Sequence, residues 1–215
     1  MIGTIRRAAP ALAAAGAALT FAADAAAVQR FAAPGAPASG SCLTPATACL
    51  LDHVTNPGAS GLQNGDEIIL APGTYGDADL GLGILINRAV TMRGQDGAPP
   101  PTLRFAGGGV NATVETRENV TLRRLRIERS GSLGSALLHA RADTTLTAEE
   151  LTVVTQGSPS AGISSLGGLT VRNSLVSVAT TGAGPVSGVE VGVTSAVAAR
   201  IVNSTILASG PNATG

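Results

Sequence analysis

The feature that most limits the fold of this chain is a three-residue pattern, usually apolar–polar–apolar, that recurs between residues 68 and 201. Successive copies begin 22 to 30 residues apart. The copies are residues 68–70, 90–92, 120–122, 146–148, 169–171 and 199–201. In the last four copies a second apolar residue follows five positions later, at Ile127, Val153, Val176 and Ile206. A repeat of this length, with two strand-like segments in each copy, is typical of a solenoid in which each repeat covers the next.

Alternation within the pattern predicts short β-strands whose first and third residues face a core. Because no helical segment lies between the copies, each repeat is expected to form one coil of a parallel β-helix, starting at about residue 62. Coils stack at the strand spacing of about 4.8 Å. Residues at equivalent positions of successive coils, here called a column, therefore lie one above another and form a ladder. The chain is therefore predicted to be all-β, a single solenoid domain over residues 42–215.

Stacking also predicts which side chains lie inside and which lie outside. One inward column contains Val90, Val120, Leu146, Leu169 and Ala199, and the other contains Met92, Leu122, Ala148, Val171 and Ile201. Threonines between these columns are expected to form a hydroxyl ladder on the outer face. The ladder consists of Thr91, Thr121, Thr147 and Thr170.

The residues after each triplet are expected to form a bend into the next strand. Asn173 and Asn203 share one column there with Arg124 and Glu150. Asparagine tolerates the left-handed backbone that a tight bend needs, so a structural role is favoured over ligand contact. Charges in these columns are expected to pair one coil apart. The arginines between residues 117 and 129 are then either a charge-paired surface, which is favoured, or a site for an anionic polymer.

The first segment has the features of a secretory signal peptide over residues 1–25. Arg6 and Arg7 precede an Ala/Leu-rich run over residues 8–23, and Ala23 and Ala25 provide a small-x-small cleavage site. No other stretch approaches the roughly 20 apolar residues that a membrane span requires. Residues 26–41, rich in proline and glycine, are expected to be a flexible leader. The protein is therefore predicted to be secreted or displayed on the cell surface.

Cys42 and Cys49 are the only cysteines, and in an exported protein they predict a disulfide. A metal site is not expected, because two thiols and the nearby His53 still leave a zinc shell one ligand short. Thr44 followed by Pro45 predicts the start of a cap helix over about residues 44–55. That helix is expected to cover the first coil.

Residues 64–75, Asn-Gly-Asp-Glu-Ile-Ile-Leu-Ala-Pro-Gly-Thr-Tyr, together with the cap segment and the coils, resemble the right-handed parallel β-helix superfamily that includes pectate lyases. The segment is similar to the first coil common in those proteins, in which Gly-Asp precedes an apolar strand and Pro-Gly-Thr-Tyr forms a turn. The resemblance covers about residues 42–215 and implies a right-handed, pectin-lyase-like solenoid. It implies little about activity, because the superfamily includes lyases, hydrolases, epimerases, adhesins and members of no known activity.

The chemistry of the enzymatic members is not evident in the sequence. Lyases of this kind, as the resemblance implies, use acidic clusters that hold Ca²⁺ beside a basic residue, and glycoside hydrolases need two facing carboxyl groups. The repeat gives Asp143 no acidic partner in an adjacent coil, and Glu149 and Glu150 are expected to point in different directions. His139, expected in a loop before a strand, is interpreted as a solvated or packed residue rather than a base. No catalytic residue and no cofactor is therefore assigned, and enzyme activity is left open.

The composition limits the partners. The formal net charge is zero and aromatic residues make up 2% of the chain, which argues against nucleic-acid binding. The predicted function is a scaffold, adhesin or carbohydrate-contacting module with extracellular or cell-wall polysaccharide as partner. The alternative is the N-terminal part of a polysaccharide lyase or hydrolase whose catalytic coils lie beyond residue 215. Since residues 209–215 lack a capping pattern, the solenoid is expected to be incomplete and to self-associate through an open C-terminal coil.

Overall fold

The computed structural model of the chain describes residues 27–106, 112–131, 134–157, 161–180, 185–192 and 198–214. These residues form a parallel β-solenoid of about five turns, which confirms the predicted fold class. The proposed signal peptide at residues 1–25 lies outside the described residues. Within the described part, no helix has the length and apolar character needed to cross a membrane.

Each full coil contributes one strand to each of three parallel sheets. The first sheet contains β1 (Gln29–Ala32), β2 (Glu67–Leu70), β5 (Thr91–Gly94), β8 (Val120–Arg123), β11 (Thr145–Glu149), β14 (Gly168–Arg172) and β17 (Ala199–Val202). The second contains β3 (Thr74–Tyr75), β6 (Thr102–Phe105), β9 (Arg126–Gly131), β12 (Thr152–Gly157), β15 (Leu175–Ala179) and β18 (Thr205–Ser209). The third contains β4 (Ile84–Ile86), β7 (Ala112–Thr116), β10 (Ser135–His139), β13 (Ala161–Ser165), β16 (Val186–Val191) and β19 (Ala213–Thr214).

The predicted register of the first two sheets is confirmed. Met92, Leu122, Ala148 and Val171 are consecutive Cα partners, and all four are fully buried. Ile127, Val153 and Val176 form a second buried column in the second sheet. The ladder ends at Ile201, which pairs with Val171 and is 46% exposed because no further described strand covers it.

The third sheet was not predicted from the sequence. Its inward positions include small residues, and Gly162 and Gly188 lie against side chains of the second sheet. A Cβ atom on Gly162 would lie 2.4 Å from Cγ1 of Val176 and 2.6 Å from the carbonyl oxygen of Gly188. Glycine is therefore required there by space, since even an added methyl group would collide with backbone.

The N-terminal segment differs from the prediction of a flexible leader. Gln29–Ala32 form strand β1, which pairs with β2 at the edge of the first sheet. Tyr75, fully buried, donates hydrogen bonds from its hydroxyl to the carbonyl oxygens of Ala32 and Ala71, at 2.8 and 3.1 Å. Backbone pairing and this tyrosine thus attach the segment to the first coil, and the expectation of an unstructured leader is wrong for these residues.

The cap helix of about ten residues is not confirmed. The segment instead contains a 3₁₀ helix (Pro45–Thr47), capped by Thr44, and a five-residue helix α1 (Leu51–Thr55). Between them Cys49 is extended, because its N–H donates to the carbonyl of Phe31 and its carbonyl accepts from Ala33, at 3.0 and 3.1 Å. The backbone of Cys49 thus covers the open edge of β1 rather than continuing a helix. Short helices α2 (Pro57–Ser60) and α3 (Asp77–Leu80) complete the N-terminal end.

Candidate functional site

A cationic groove lies on the second sheet, across strands β6, β9 and β12. The parallel register places Arg104 beside Glu128 and Glu128 beside Val154. The groove has a volume of about 280 Å³. Its lining residues are Arg104, Arg126, Glu128, Arg129, Ser130, Val154 and Gln156.

Glu128 holds two of the three arginines in place. Its carboxylate accepts from Nε of Arg104 at 2.6 Å and from Nε of Arg126 at 2.5 Å. Burial acts to raise the pKa of Glu128, but the hydrogen bonds from the two guanidinium groups outweigh it and hold the pKa below its usual value. The side chains of Arg104 and Arg126 remain 56% and 41% exposed. Both guanidinium groups are therefore oriented by the protein and still accessible to a ligand.

Arg129 lies at the inner side of the same groove. It is buried at 3% exposure, and its Cζ lies 5.7 Å from the centre of the Phe105 ring, its neighbour in the sheet. Burial lowers the pKa of Arg129. On the exposed side of the groove, Arg104 and Arg126 share the single carboxylate of Glu128, which leaves an excess of one positive charge there. This arrangement favours a ligand that carries carboxylate or other acceptor groups.

Most of the other arginines on the surface are paired with carboxylates. Arg172 contacts Glu149 at 3.4 Å, one coil apart within a single column, as predicted. Arg123 contacts Glu150 at 3.3 Å, also one coil apart but in the neighbouring column. Further pairs are Arg117–Glu115, Arg124–Asp96 and Arg141–Glu118. The charge-paired interpretation therefore describes most of the segment from residue 117 to residue 129, whereas cations are in excess at the groove.

The threonine ladder lies on the first sheet, away from the groove. Thr91, Thr121, Thr147 and Thr170 are consecutive Cα partners and are partly exposed. Hydroxyl groups in this column face outward between the two inward columns. The ladder thus belongs to the outer surface of the first sheet and contributes nothing to the groove on the second.

The residues of the bend column are explained by the backbone conformation that the bend requires. Asn173 and Asn203 have φ values of 50° and 48°, and Arg124 and Glu150 at the equivalent positions have 55° and 53°. All four therefore occupy the left-handed region that favours glycine and asparagine. The same backbone at four equivalent positions indicates a geometric requirement of the bend.

Cys42 and Cys49 form a disulfide, with 5.4 Å between their Cα atoms. The side chain of His53 lies close to them, with all three candidate ligand atoms within 4.8 Å of one another. Sulfurs bonded to each other offer no thiolate to a metal ion, which requires the deprotonated thiol. The cluster is therefore a disulfide with a neighbouring histidine and not a metal site.

His139 lies at the end of strand β10, not in a loop before a strand as expected, and is fully buried. Its Nδ1 lies 2.7 Å from the hydroxyl of Thr116, and its Nε2 lies 3.1 Å from the hydroxyl of Thr144. Thr144 donates to the carbonyl of Arg141 at 3.3 Å, so its oxygen is left to accept from Nε2–H. Both ring nitrogens therefore have a hydroxyl partner, and burial lowers the pKa of His139, which favours the neutral imidazole. These contacts make it a structural residue of the corner.

The groove was not recognised from the sequence because strand β6 begins later in its coil than the equivalent strands of the following coils. In later coils the second apolar residue follows the triplet by five positions, but Leu103 follows Met92 by eleven. A longer turn, which includes Gly97 and three prolines at residues 99–101, separates the two strands. The alternation in Thr102–Phe105, where Arg104 lies between two buried residues, was the available signal.

No protein-family model matches the chain, and neither a curated protein nor a solved structure does. Relatives therefore supply no functional residues for this chain. The candidate site rests on the geometry of the groove alone.

Proposed function

We propose that this protein is a secreted or surface-exposed β-solenoid of the pectin-lyase-like kind that contacts anionic polysaccharide without cleaving it. The groove formed by Arg104, Arg126, Glu128 and Arg129 is the proposed contact site. Carboxylates of a uronic-acid polymer would bind its exposed guanidinium groups, and Ser130 and Gln156 provide hydrogen-bonding groups for hydroxyls.

The observation that carries the proposal is the sharing of one carboxylate by two arginines. Glu128 contacts Arg104 and Arg126 through their Nε atoms, so the shared carboxylate orients both side chains while neutralising only one positive charge. Guanidinium groups recognise carboxylates through paired N–H donors. Two oriented, half-exposed guanidinium groups on adjacent strands therefore form a suitable contact for a repeating acid.

The disulfide and the N-terminal sequence pattern support the exported location that this proposal includes. A disulfide is stable in an oxidising compartment, and the segment over residues 1–25 has the pattern of a signal peptide. A solenoid on the cell surface or outside the cell meets polysaccharides there. Scaffold and adhesin roles both use such a contact.

The state of Glu128 argues for binding rather than catalysis at this site. A general acid for glycosidic cleavage needs a raised pKa so that it carries a proton near neutral pH. Two guanidinium groups instead lower the pKa of Glu128, so the carboxylate is ionised and occupied as an ion-pair partner. The proposed role of the groove is therefore retention of the polymer.

Binding of polygalacturonate to residues 28–215 tests this proposal, with neutral dextran as the comparison polymer. The double variant Arg104→Gln/Arg126→Gln is expected to weaken polygalacturonate binding by about tenfold or more, since about 1.4 kcal/mol corresponds to a factor of ten. Binding should also weaken as salt rises, because the contact is between charges.

Arg141→Gln is the matched control. Arg141 is 49% exposed and contacts Glu118 at 2.6 Å, so its exposure and pairing resemble those of Arg104, but it does not line the groove. This variant should bind polygalacturonate as the unmodified protein does. Equal weakening by the control and the double variant would show that the groove is not the contact site.

A further inference from the structure

A second groove lies at the N-terminal end of the solenoid, between helix α2 with the turn that follows it and the turn before β5. Its volume is about 590 Å³, within the range of about 300 to 1,000 Å³ usual for small-molecule sites. Its lining residues are Pro57, Gly61, Leu62, Gln63, Asn64 and Arg88. The groove on the second sheet shares none of these residues.

The polar side chains of this N-terminal groove are one guanidinium group and two amides. Arg88 is half-buried, and among the described residues it forms no ion pair. Its Nη1 donates to the carbonyl of Asn87 at 3.1 Å, which leaves its other N–H groups as donors. Arg88 thus differs from Arg104 and Arg126, whose charge is shared with a carboxylate within the same groove.

The amide of Asn64 is oriented by the backbone. Its Oδ1 accepts from the N–H of Ala89 at 3.0 Å, so the NH₂ end of the amide is the part left to donate to a ligand. The neighbouring N–H of Gly65 donates to the carbonyl of Ala89 at 2.7 Å. These two bonds join the wall that contains Gln63 and Asn64 to the wall that contains Arg88.

The wall that contains Gly61, Gln63 and Asn64 is also attached to the core. The N–H of Gln63 donates to Asp66 at 3.0 Å, and Asp66 is bonded to Arg30, which also donates to the carbonyl of Gly61 at 2.8 Å. Both walls are therefore fixed before any ligand arrives, which lowers the entropic cost of binding.

We infer that this groove binds a small polyhydroxy carboxylate of the sugar-acid class. Arg88 would hold the carboxylate through its guanidinium fork, and Gln63 and Asn64 would donate to hydroxyl oxygens. Pro57, which is partly exposed, provides apolar contact for the carbon chain. The inference does not depend on polysaccharide binding at the other groove, because the two sites share no residue.

Gluconate and sorbitol are the probes, since they share a six-carbon polyhydroxy chain and differ in the carboxylate. Each is titrated into ¹⁵N-labelled protein spanning residues 28–215, and backbone amide shifts are followed by NMR at constant ionic strength. Gluconate is expected to shift the amides of Gly61, Gln63, Asn64 and Ala89 in a saturable way, and sorbitol to bind at least tenfold more weakly. A parallel titration with sodium chloride measures the response to any anion.

Arg88→Gln should weaken gluconate binding at least tenfold while leaving the unfolding midpoint close to that of the unmodified protein. Arg200→Gln is the control, because Arg200 is an exposed arginine on β17 at the other end of the solenoid. Three results would each overturn the inference. These are equal shifts with sorbitol or chloride, shifts confined to the groove on the second sheet, and unchanged gluconate binding by Arg88→Gln. Polygalacturonate binding that persists in Arg88→Gln would leave the first proposal intact.

Discussion

Arg30 and Asp66 form an ion pair inside the N-terminal end of the solenoid, with 3.0 Å between Nε and Oδ2 and side-chain exposures of 9% and 5%. Arg30 occupies the inward column that continues through Ile68 and Met92, so its charge lies at the end of the apolar stack. The guanidinium group also donates to the carbonyls of Ser60 and Gly61. Asp66 in turn accepts from the N–H groups of Val28 and Gln63. The pair therefore closes the first coil and joins residues 28–30 to residues 60–66.

Asp66→Asn should destabilise the protein by about 3 to 5 kcal/mol, because it leaves the charge of Arg30 buried without its partner. Urea unfolding measures the change. Glu118→Gln, which breaks the exposed pair with Arg141, should cost less than about 1 kcal/mol. The combination Arg30→Met/Asp66→Asn should recover part of the loss, since it removes the buried charge; no recovery would mean that the charge is not the cause.

His139 should make stability depend on pH. Its pKa is lowered by burial in the folded state, whereas an unfolded histidine titrates near 6.5. The unfolded chain therefore binds more protons in this range, so the stabilising contribution is fully present above about pH 6.5 and is lost progressively as the pH falls below that value. The free energy of unfolding, measured in urea between pH 7.5 and pH 5, should decrease accordingly.

Comparison with His139→Gln isolates this contribution, since carboxyl groups also begin to titrate toward the lower end of the range. The variant should show a smaller decrease in the free energy of unfolding between pH 7.5 and pH 5. His53→Gln should retain the decrease. An identical slope in the unmodified protein and in His139→Gln would contradict the assignment.

Glu150 should be replaceable with a gain in stability. Its backbone is left-handed, with φ of 53°, a conformation that costs an ordinary residue about 1 to 2 kcal/mol and asparagine much less. Its contact with Arg123 is exposed and contributes little. Glu150→Asn is therefore expected to raise the free energy of unfolding by about 0.5 to 1 kcal/mol. Glu149→Asn, one residue earlier on the extended strand β11, should give no gain, and a gain of equal size there would rule out the backbone explanation.

The columns that were predicted correctly are those whose chemistry follows simple alternation. Val120, Leu122 and Ile127 are apolar, and the threonines between the inward columns are polar, so the period of two fixes the register. The third sheet escaped prediction because its buried positions include Thr116, His139 and Ser165, which satisfy their polar atoms within the corner. Gly162 and Gly188 provide no apolar signal either.

The N-terminal strand escaped prediction for a different reason. Gln29–Ala32 carry a buried arginine and are followed by a proline- and glycine-rich segment, so the local composition indicates a loop. The partners of this strand lie far away in sequence, since Asp66 pairs with its arginine and β2 pairs with its backbone. The groove also depends on partners from different coils, since Arg104 and Glu128 meet only when the register is known.

The last described coil should promote association. Ile201 and Leu207 are 46% and 52% exposed on β17 and β18, and no described strand pairs with the outer edges of these strands. Open edges with exposed apolar residues tend to pair with other chains. Residues 28–215 should therefore form oligomers in sedimentation velocity runs, and Ile201→Lys/Leu207→Lys should shift them toward monomer.

Leu82→Lys is the control for this association. Leu82 is 82% exposed but lies in the turn before β4, away from the open edges. It should leave the distribution of oligomers unchanged. A stable monomer of the unmodified residues 28–215 at high concentration would refute the prediction.

Retention of a polyuronate without cleavage is measured most directly by incubating polygalacturonate with residues 28–215, with and without Ca²⁺. The polymer that co-elutes with the protein and the number of reducing ends are determined in the same samples. The expected result is retained polymer, an unchanged number of reducing ends and no new ultraviolet absorbance from unsaturated uronates, with retention lost in Arg104→Gln/Arg126→Gln. New reducing ends, new ultraviolet absorbance, or polymer that elutes free of the protein would contradict the proposed function.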